Sequence, residues 1–254
     1  MSPAPAWAAE EAAINGFPPL RQVVLGDWLL RFSGGVRRTA NSVTPLREPQ
    51  GDVAVVIATA EALYRAQGLP TIFRIPSFLD PAIDATLAAY GYTAEGESCI
   101  IEGPLDPIIA AAAPFGGRDA VRLDERPTDG WFSAMARLQD QAPEFHAGYR
   151  DIVRGVALPA AFASLTADGA PMALAYGVIH RGLLCFESVV TDAQHRRKGY
   201  SRRVLAALAA WAKRQGIGVA TLQVEAANTP GRRLYHSIGM TTELHRYHYR
   251  RAPG

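Results

Sequence analysis

The chain has 254 residues, 48% of them hydrophobic and 20% charged, and a formal net charge of +2. That balance excludes a disordered or fibrous protein and leaves room for one large domain or two small ones. A near-neutral total says little about partners. Apolar runs such as Ile108 to Phe115 are too short to span a bilayer. The opening MSPAPAWAAEEAAING has no basic stretch ahead of an apolar one, so it is not read as a signal peptide. Cys99 and Cys185 lie in apolar runs that read as buried strands. Two lone cysteines fit a reducing compartment, the cytoplasm, and imply neither a disulfide framework nor a metal site.

In chain order, Gly26 to Val43 reads as two strands around Gly34-Gly35, with Arg37 and Arg38 read as a solvated turn, the alternative being that they reach a substrate. Asp52 to Gln67 is a helix closed by Gly68, and Thr71 to Ile75 a strand. Pro81 to Tyr90 is a helix turned by Gly91, and Glu97 to Glu102 a strand. Pro104 to Asp129, with its prolines, Gly116-Gly117 and an alanine run, reads as a connector. A strand over Gly182 to Thr191 leads to a helix over Ser201 to Gln215, in which Val204, Leu205, Leu208, Trp211 and Ala212 keep helical spacing. Val219 to Glu225 alternates as a strand. Pro230 to Ser237 is a short helix, Gly239 a turn and Leu244 to Arg250 a strand. The segment LAAYGY (Leu87 to Tyr92) echoes LYHSIGM (Leu234 to Met240), and the shared order predicts a tandem duplication of one fold, the alternative being the repetition of such units common to α/β proteins.

The chemistry concentrates where the Gly182 to Thr191 strand runs into DAQHRRKGYSRR. Arg196, Arg197, Lys198, Arg202 and Arg203 lie in eight residues with no acidic side chain among them. Lys198 to Ser201 fall where a helix begins, so several backbone N–H groups lack intrahelical partners and the helix dipole is positive. Such a site favours a phosphate or pyrophosphate. Gly199 lets the backbone approach the anion, and Ser201 is a candidate cap. The spacing matches neither a P-loop nor a dinucleotide fingerprint.

Arg196-Arg197-Lys198-Gly199-Tyr200-Ser201, after Val189-Val190-Thr191, resembles the [RQ]-x-x-G-x-[GA] pyrophosphate loop of the GNAT superfamily of N-acetyltransferases. Leu222, Val224, Asn228, Leu234, Tyr235, Gly239 and Met240 resemble that family's next block, with Met240 in place of its aromatic. The resemblance covers about half the chain. It implies an α/β (α+β) GNAT fold, a mixed central sheet flanked by helices, in two tandem copies. A degenerate GNAT-like half would occupy residues 1–118 and the catalytic half residues 119–254.

It also implies acetyl-CoA as co-substrate, without a metal, and direct attack of a neutral amine on the thioester. Backbone groups of Val189 to Thr191 would pair with the pantetheine arm and amides of Arg197 to Ser201 would hold the pyrophosphate. Asn228 would flank the cofactor and Tyr235 its sulfur. A phenol of ordinary pKa near 10 stays protonated and suits a departing thiolate. Glu187, in a strand apolar on both faces, is the candidate base because desolvation raises its pKa; the alternative is a Glu paired with an arginine of the next strand. Gln223 and Glu225 would position water or substrate, and His195 and His236 read as surface residues. The acceptor is a small-molecule or peptide amine, with neither nucleic acid nor membrane as partner; a homodimer is allowed. The rival reading is a non-catalytic acyl-CoA-binding sensor or scaffold.

Overall fold

The computed structural model describes residues 3–115 and 120–254. The first half contains α1 (Pro3–Gly16), β1 (Arg21–Leu25), β2 (Trp28–Phe32), β3 (Val43–Pro45), α2 (Val53–Ala66), β4 (Ile72–Pro76), α3 (Pro81–Ala89), β5 (Thr93–Pro104) and α4 (Leu105–Ala110). The second contains β6 (Val121–Asp124), α5 (Asp129–Leu138), α6 (Pro143–Arg154), β7 (Ala160–Ala167), β8 (Ala170–His180), β9 (Leu183–Thr191), α7 (Tyr200–Lys213), β10 (Val219–Glu225), α8 (Thr229–Ser237) and β11 (Thr242–Arg251). The expected 118/119 boundary and the Gly116-Gly117 pair lie outside the described residues.

Among the described residues all strands join one mixed sheet in the order β1-β2-β3-β4-β11-β5-β10-β9-β8-β7-β6. From β1 in the first half and from β7 in the second, the chain runs three strands, a helix, a strand, a helix and a closing strand; β6, α5 and α6 precede that series in the second half. The closing strands are exchanged: β5 lies between β10 and β11, and β11 lies between β4 and β5. In the first half β3 and β4, and in the second β9 and β10, are parallel neighbours that pair only briefly, at Val43↔Phe73 and from Val219↔Leu183 to Thr221↔Cys185.

Helix α7 buries Val204, Leu205, Leu208, Ala209 and Ala212, one stripe at helical spacing, against β7, β8 and β9. The connector is not featureless. Leu105 and Ile108 of α4 enter the same core, because a run of apolar residues between prolines has more to gain from burial than from solvation. Cys99 and Cys185 are both buried and unpaired.

The amino-terminal helix α1 had no periodic signal, since alanine is neither clearly apolar nor polar in a pattern. Its small Ala9, Ala12 and Ala13 let it lie close across β8 to β11. Two buried charges anchor it. Glu10 pairs with the Arg74 guanidinium and bonds His245 Nε2 at 2.6 Å, while Arg74 stacks 3.7 Å from the Tyr247 ring centre. Burial, with Arg74 nearby, pushes the His245 imidazole down to about 3, so it is neutral and donates to Glu10. Arg31 reaches the carbonyls of Ile14, Phe17 and Thr39, satisfying the end of α1; burial lowers it to about 10, which leaves it charged at neutral pH.

Candidate active site

Beyond Thr221↔Cys185 the strands β9 and β10 part. A bulge sharpens the divergence: the β8/β9 register steps between Leu174↔Val190 and Tyr176↔Glu187, and Ser188 takes φ +52°. A bulge leaves backbone groups without ladder partners, free to pair with a ligand. Two cavities open in this wedge.

The first, of 690 Å³, runs between Val189–Thr191, the loop before α7 and the start of α8. Arg196, Arg197, Gly199, Tyr200, Ser201 and Arg202 line it, whereas Lys198 is exposed outside the lining. Gly199 is the N-cap of α7 at φ +78°, and no side chain caps the helix. The residue must be glycine on a second count, because a Cβ there would run into the Phe115 ring, over which the Arg202 guanidinium sits at 5.4 Å. Ser201 is not the cap: it lies inside the first turn, and its hydroxyl meets that of Thr191. The uncapped N–H groups and flanking arginines fit a pyrophosphate. Asn228 caps α8, accepting from Gly231 N at 3.0 Å, and borders the cleft.

The corresponding place in the first half, at the starts of α2 and α3, does not fit. Its 410 Å³ cavity is lined by Glu48, Asp52 and Asp80. Asp52 and Asp80 cap their own helices, and Glu48 accepts from Asp80 N at 3.1 Å, so the donors are taken and the field is negative.

The second cavity, of 470 Å³, lies on the other side of Val189, Asn228 and Tyr235, which border both. Tyr235 is 9% exposed, and its hydroxyl has no hydrogen-bond partner among the described residues. Burial, with a smaller contribution from Glu187, pushes its phenol well above the ordinary value. Glu187 is 8% exposed and lines the second cavity. Burial raises its carboxyl to about 7, against the lowering pull of Cys185, whose Sγ lies 3.7 Å away, and of Arg37, Gln223 and Arg31. The expected alternative, an arginine partner on the next strand, is not what surrounds it: β8 supplies Tyr176, and β10 supplies Gln223, which accepts from Tyr247 Oη at 2.8 Å.

Gln223 and Glu225 line the same cavity, while His195 bonds Asp192 at 2.8 Å and His236 is exposed, both outside it. Arg37 and Arg38 belong to a ten-residue link between β2 and β3; Arg37 is exposed and Arg38 half-buried, and both line the second cavity with Tyr247 and Tyr249. No local pattern marks them, because what brings them to β9 is the packing of the halves.

A family model described as "Probable histone acetyltransferase Rv0428c C-terminal" matches residues 6–250. The chain belongs to that family, within the GNAT superfamily of N-acetyltransferases. It is 29% identical over 242 residues to the uncharacterized N-acetyltransferase YobR of Bacillus subtilis strain 168, covering 95% of this chain and 96% of YobR. A GCN5-related N-acetyltransferase from Kribbella flavida shares the fold at TM-score 0.70 and 18% identity, over 97% of this chain and 96% of that one. A tandem GNAT protein from the clavulanic acid biosynthesis pathway does so at TM-score 0.69 and 14% identity, over 97% and 88%. The GNAT acyltransferase expectation therefore holds for nearly the whole length, beyond the half that carries the motifs. Among the described residues no cluster of His, Cys, Asp and Glu is arranged to hold a metal, and no helix is long and apolar enough to cross a membrane.

Proposed function

We propose that the chain transfers an acetyl group from acetyl-CoA to a primary amine in the cytoplasm. Residues 119–254 form the catalytic half, and residues 1–118 a cofactor-less copy of the same fold. The observation that carries this reading is Tyr235, placed at the junction of a cleft suited to a pyrophosphate and a cavity holding a buried carboxyl.

Backbone N–H groups of Arg197 to Ser201 hold the pyrophosphate, Arg196 and Arg197 add charge, and the bulged backbone of Val189 to Thr191 faces the pantetheine arm, flanked by Asn228. Acetyl-CoA, when bound, supplies a thioester: the amine nitrogen bonds to the acyl carbon, the carbon–sulfur bond breaks, and of the two protons shed by the ammonium one reaches the thiol and one the solvent. Glu187, with a carboxyl at about 7, accepts the first of these protons near neutral pH. The Tyr235 hydroxyl, kept neutral by burial, donates a hydrogen bond toward the sulfur as it takes up charge.

Calorimetry with CoA tests the first half of the reading. We expect one site per chain and a rise in melting temperature, since a ligand at a hundred times its Kd adds about 2.7 kcal/mol. Gly199→Glu should fold and bind no CoA. No heat and no melting shift at millimolar CoA would remove the assignment. Thiol release across an amine panel tests the rest; binding without any release would leave a CoA-binding scaffold.

Tyr235→Phe separates catalysis from packing. The ring fills the same space, so stability and CoA affinity should hold. A positioned proton donor contributes about 10²–10⁴-fold, so kcat should fall at least tenfold where chemistry limits turnover. An unchanged kcat in single-turnover experiments would leave Tyr235 as a packing residue.

A further inference from the structure

Resting on the transferase reading above, we propose that the acceptor is a primary amine that also carries a carboxylate, and that Arg37 of the first half is the residue that selects it. Among the charged groups lining the acceptor cavity, Arg37 differs from its neighbour. Arg38 is already committed: its guanidinium lies 3.2 Å from Glu95 and 4.9 Å over the Tyr249 ring. Arg37 has no carboxylate within ion-pair distance among the described residues. Its Nη2 donates to Gln139 Oε1 at 2.8 Å, and its guanidinium lies 5.7 Å from the Tyr149 ring centre. It is thus a cation positioned by two neutral groups, with charge and donors left over.

The same support reaches the wedge itself, since Tyr149 Oη donates to Ser188 Oγ at 2.7 Å, beside Glu187. The carboxyl groups in the lining are Glu187 and Glu225. The cavity therefore offers one cation without a carboxylate at ion-pair distance and two carboxyls, the complement of a zwitterion whose ammonium meets Glu187 and whose anion meets Arg37. A guanidinium fork matches a carboxylate in two hydrogen bonds. One spare positive charge matches a monoanion, whereas a phosphate dianion would call on Arg38, which Glu95 neutralises. At 470 Å³ the cavity is of small-molecule size.

The test uses the full chain, acetyl-CoA and matched acceptors: glycine, β-alanine and γ-aminobutyrate, their carboxamides, and phosphoethanolamine, followed by thiol release. We expect at least one acid to exceed its carboxamide about tenfold or more in kcat/KM, as a lost charge-assisted pair implies. Arg37→Gln should remove that preference, costing the acids about tenfold more in kcat/KM than their carboxamides, which lose only what the altered Glu187 carboxyl costs both members of a pair, with CoA affinity unchanged. Carboxamides equal to the acids, phosphoethanolamine above them, or an Arg37→Gln loss that is the same for both members of a pair would each overturn the inference while leaving acyl transfer standing. If no amine releases thiol, the same question is put by calorimetry of the CoA-loaded protein with N-acetylglycine, N-acetyl-β-alanine and N-acetyl-γ-aminobutyrate. Binding that Arg37→Gln abolishes then supports the anion site although the transferase reading has failed, and no binding overturns it.

Discussion

Residues 120–254 expressed alone should not form a cooperatively folded monomer, although they contain both sequence blocks of the family. In the whole chain β11 has its two neighbours, β4 and β5, in the first half, and β10 pairs with β5 along Val219 to Glu225. Removing the first half exposes long unpaired strand edges, which favour aggregation. It also strips Ile101, Leu105 and Ile108 from the core that packs under α7. Each fully buried residue of this kind is worth about 1.5–3 kcal/mol, so the three supply roughly 5–9 kcal/mol, comparable to a whole domain's net stability of about 5–15 kcal/mol. Circular dichroism melts of the fragment should show no sharp transition. Co-expression with residues 1–119 should restore one, together with CoA binding. A fragment that melts cooperatively and binds CoA unaided would show that the strand exchange is dispensable.

This exchange explains which features could be read from the chain and which could not. Val204, Leu205, Leu208 and Ala212 repeat at helical spacing, and Val219 to Glu225 alternates, because each element's partner face is uniform enough to impress a period on it. The Gly199 loop was legible for another reason: a positive φ and an uncapped helix start both demand glycine locally. Nothing in Leu244 to Arg250 says that its neighbours are β4 and β5, since a strand's period is the same whichever partner it takes. Helix α1 left no pattern, as its close packing relies on alanine. Arg37 and Arg38 follow a Gly-Gly pair and read as any polar link would; their place at the cavity is a property of two halves meeting. Glu187 was visible as a misfit, a carboxyl among apolar residues. Its actual surroundings, Gln223 from β10 and Arg37 from the first half, were not.

The same misfit leads to the largest expected effect on catalysis and an opposite effect on stability. Glu187→Gln should lower kcat/KM by about 10²–10⁴-fold, the contribution of a positioned base. In the native protein kcat/KM should rise with pH through about 7, as the carboxyl loses its proton. In the Glu187→Gln variant that limb should vanish, leaving only the dependence from the amine's own ionisation. Stability should move the other way. An unfolded Glu titrates near 4.3, whereas burial holds this one at about 7 in the folded chain. Between those values the folded state binds the extra proton, so this contribution to stability is fully present below about pH 4.5 and lost as pH rises through 7. The span corresponds to roughly 4 kcal/mol at 1.36 kcal/mol per pH unit. Arg37 and Arg31 offset part of the cost of the charge, while Cys185, Tyr149, Tyr176 and Tyr235 around it stay neutral, because burial pushes all four upward. The substituted amide would carry no charge at any pH. The variant should therefore gain on the native protein between pH 4.5 and 8, by roughly 8–16 °C in melting temperature for a chain of this size. Paired melts across that range read the gain directly. A constant difference between the two proteins would mean that Glu187 keeps an ordinary carboxyl in the fold. With the pH limb also retained, it would cease to be the base.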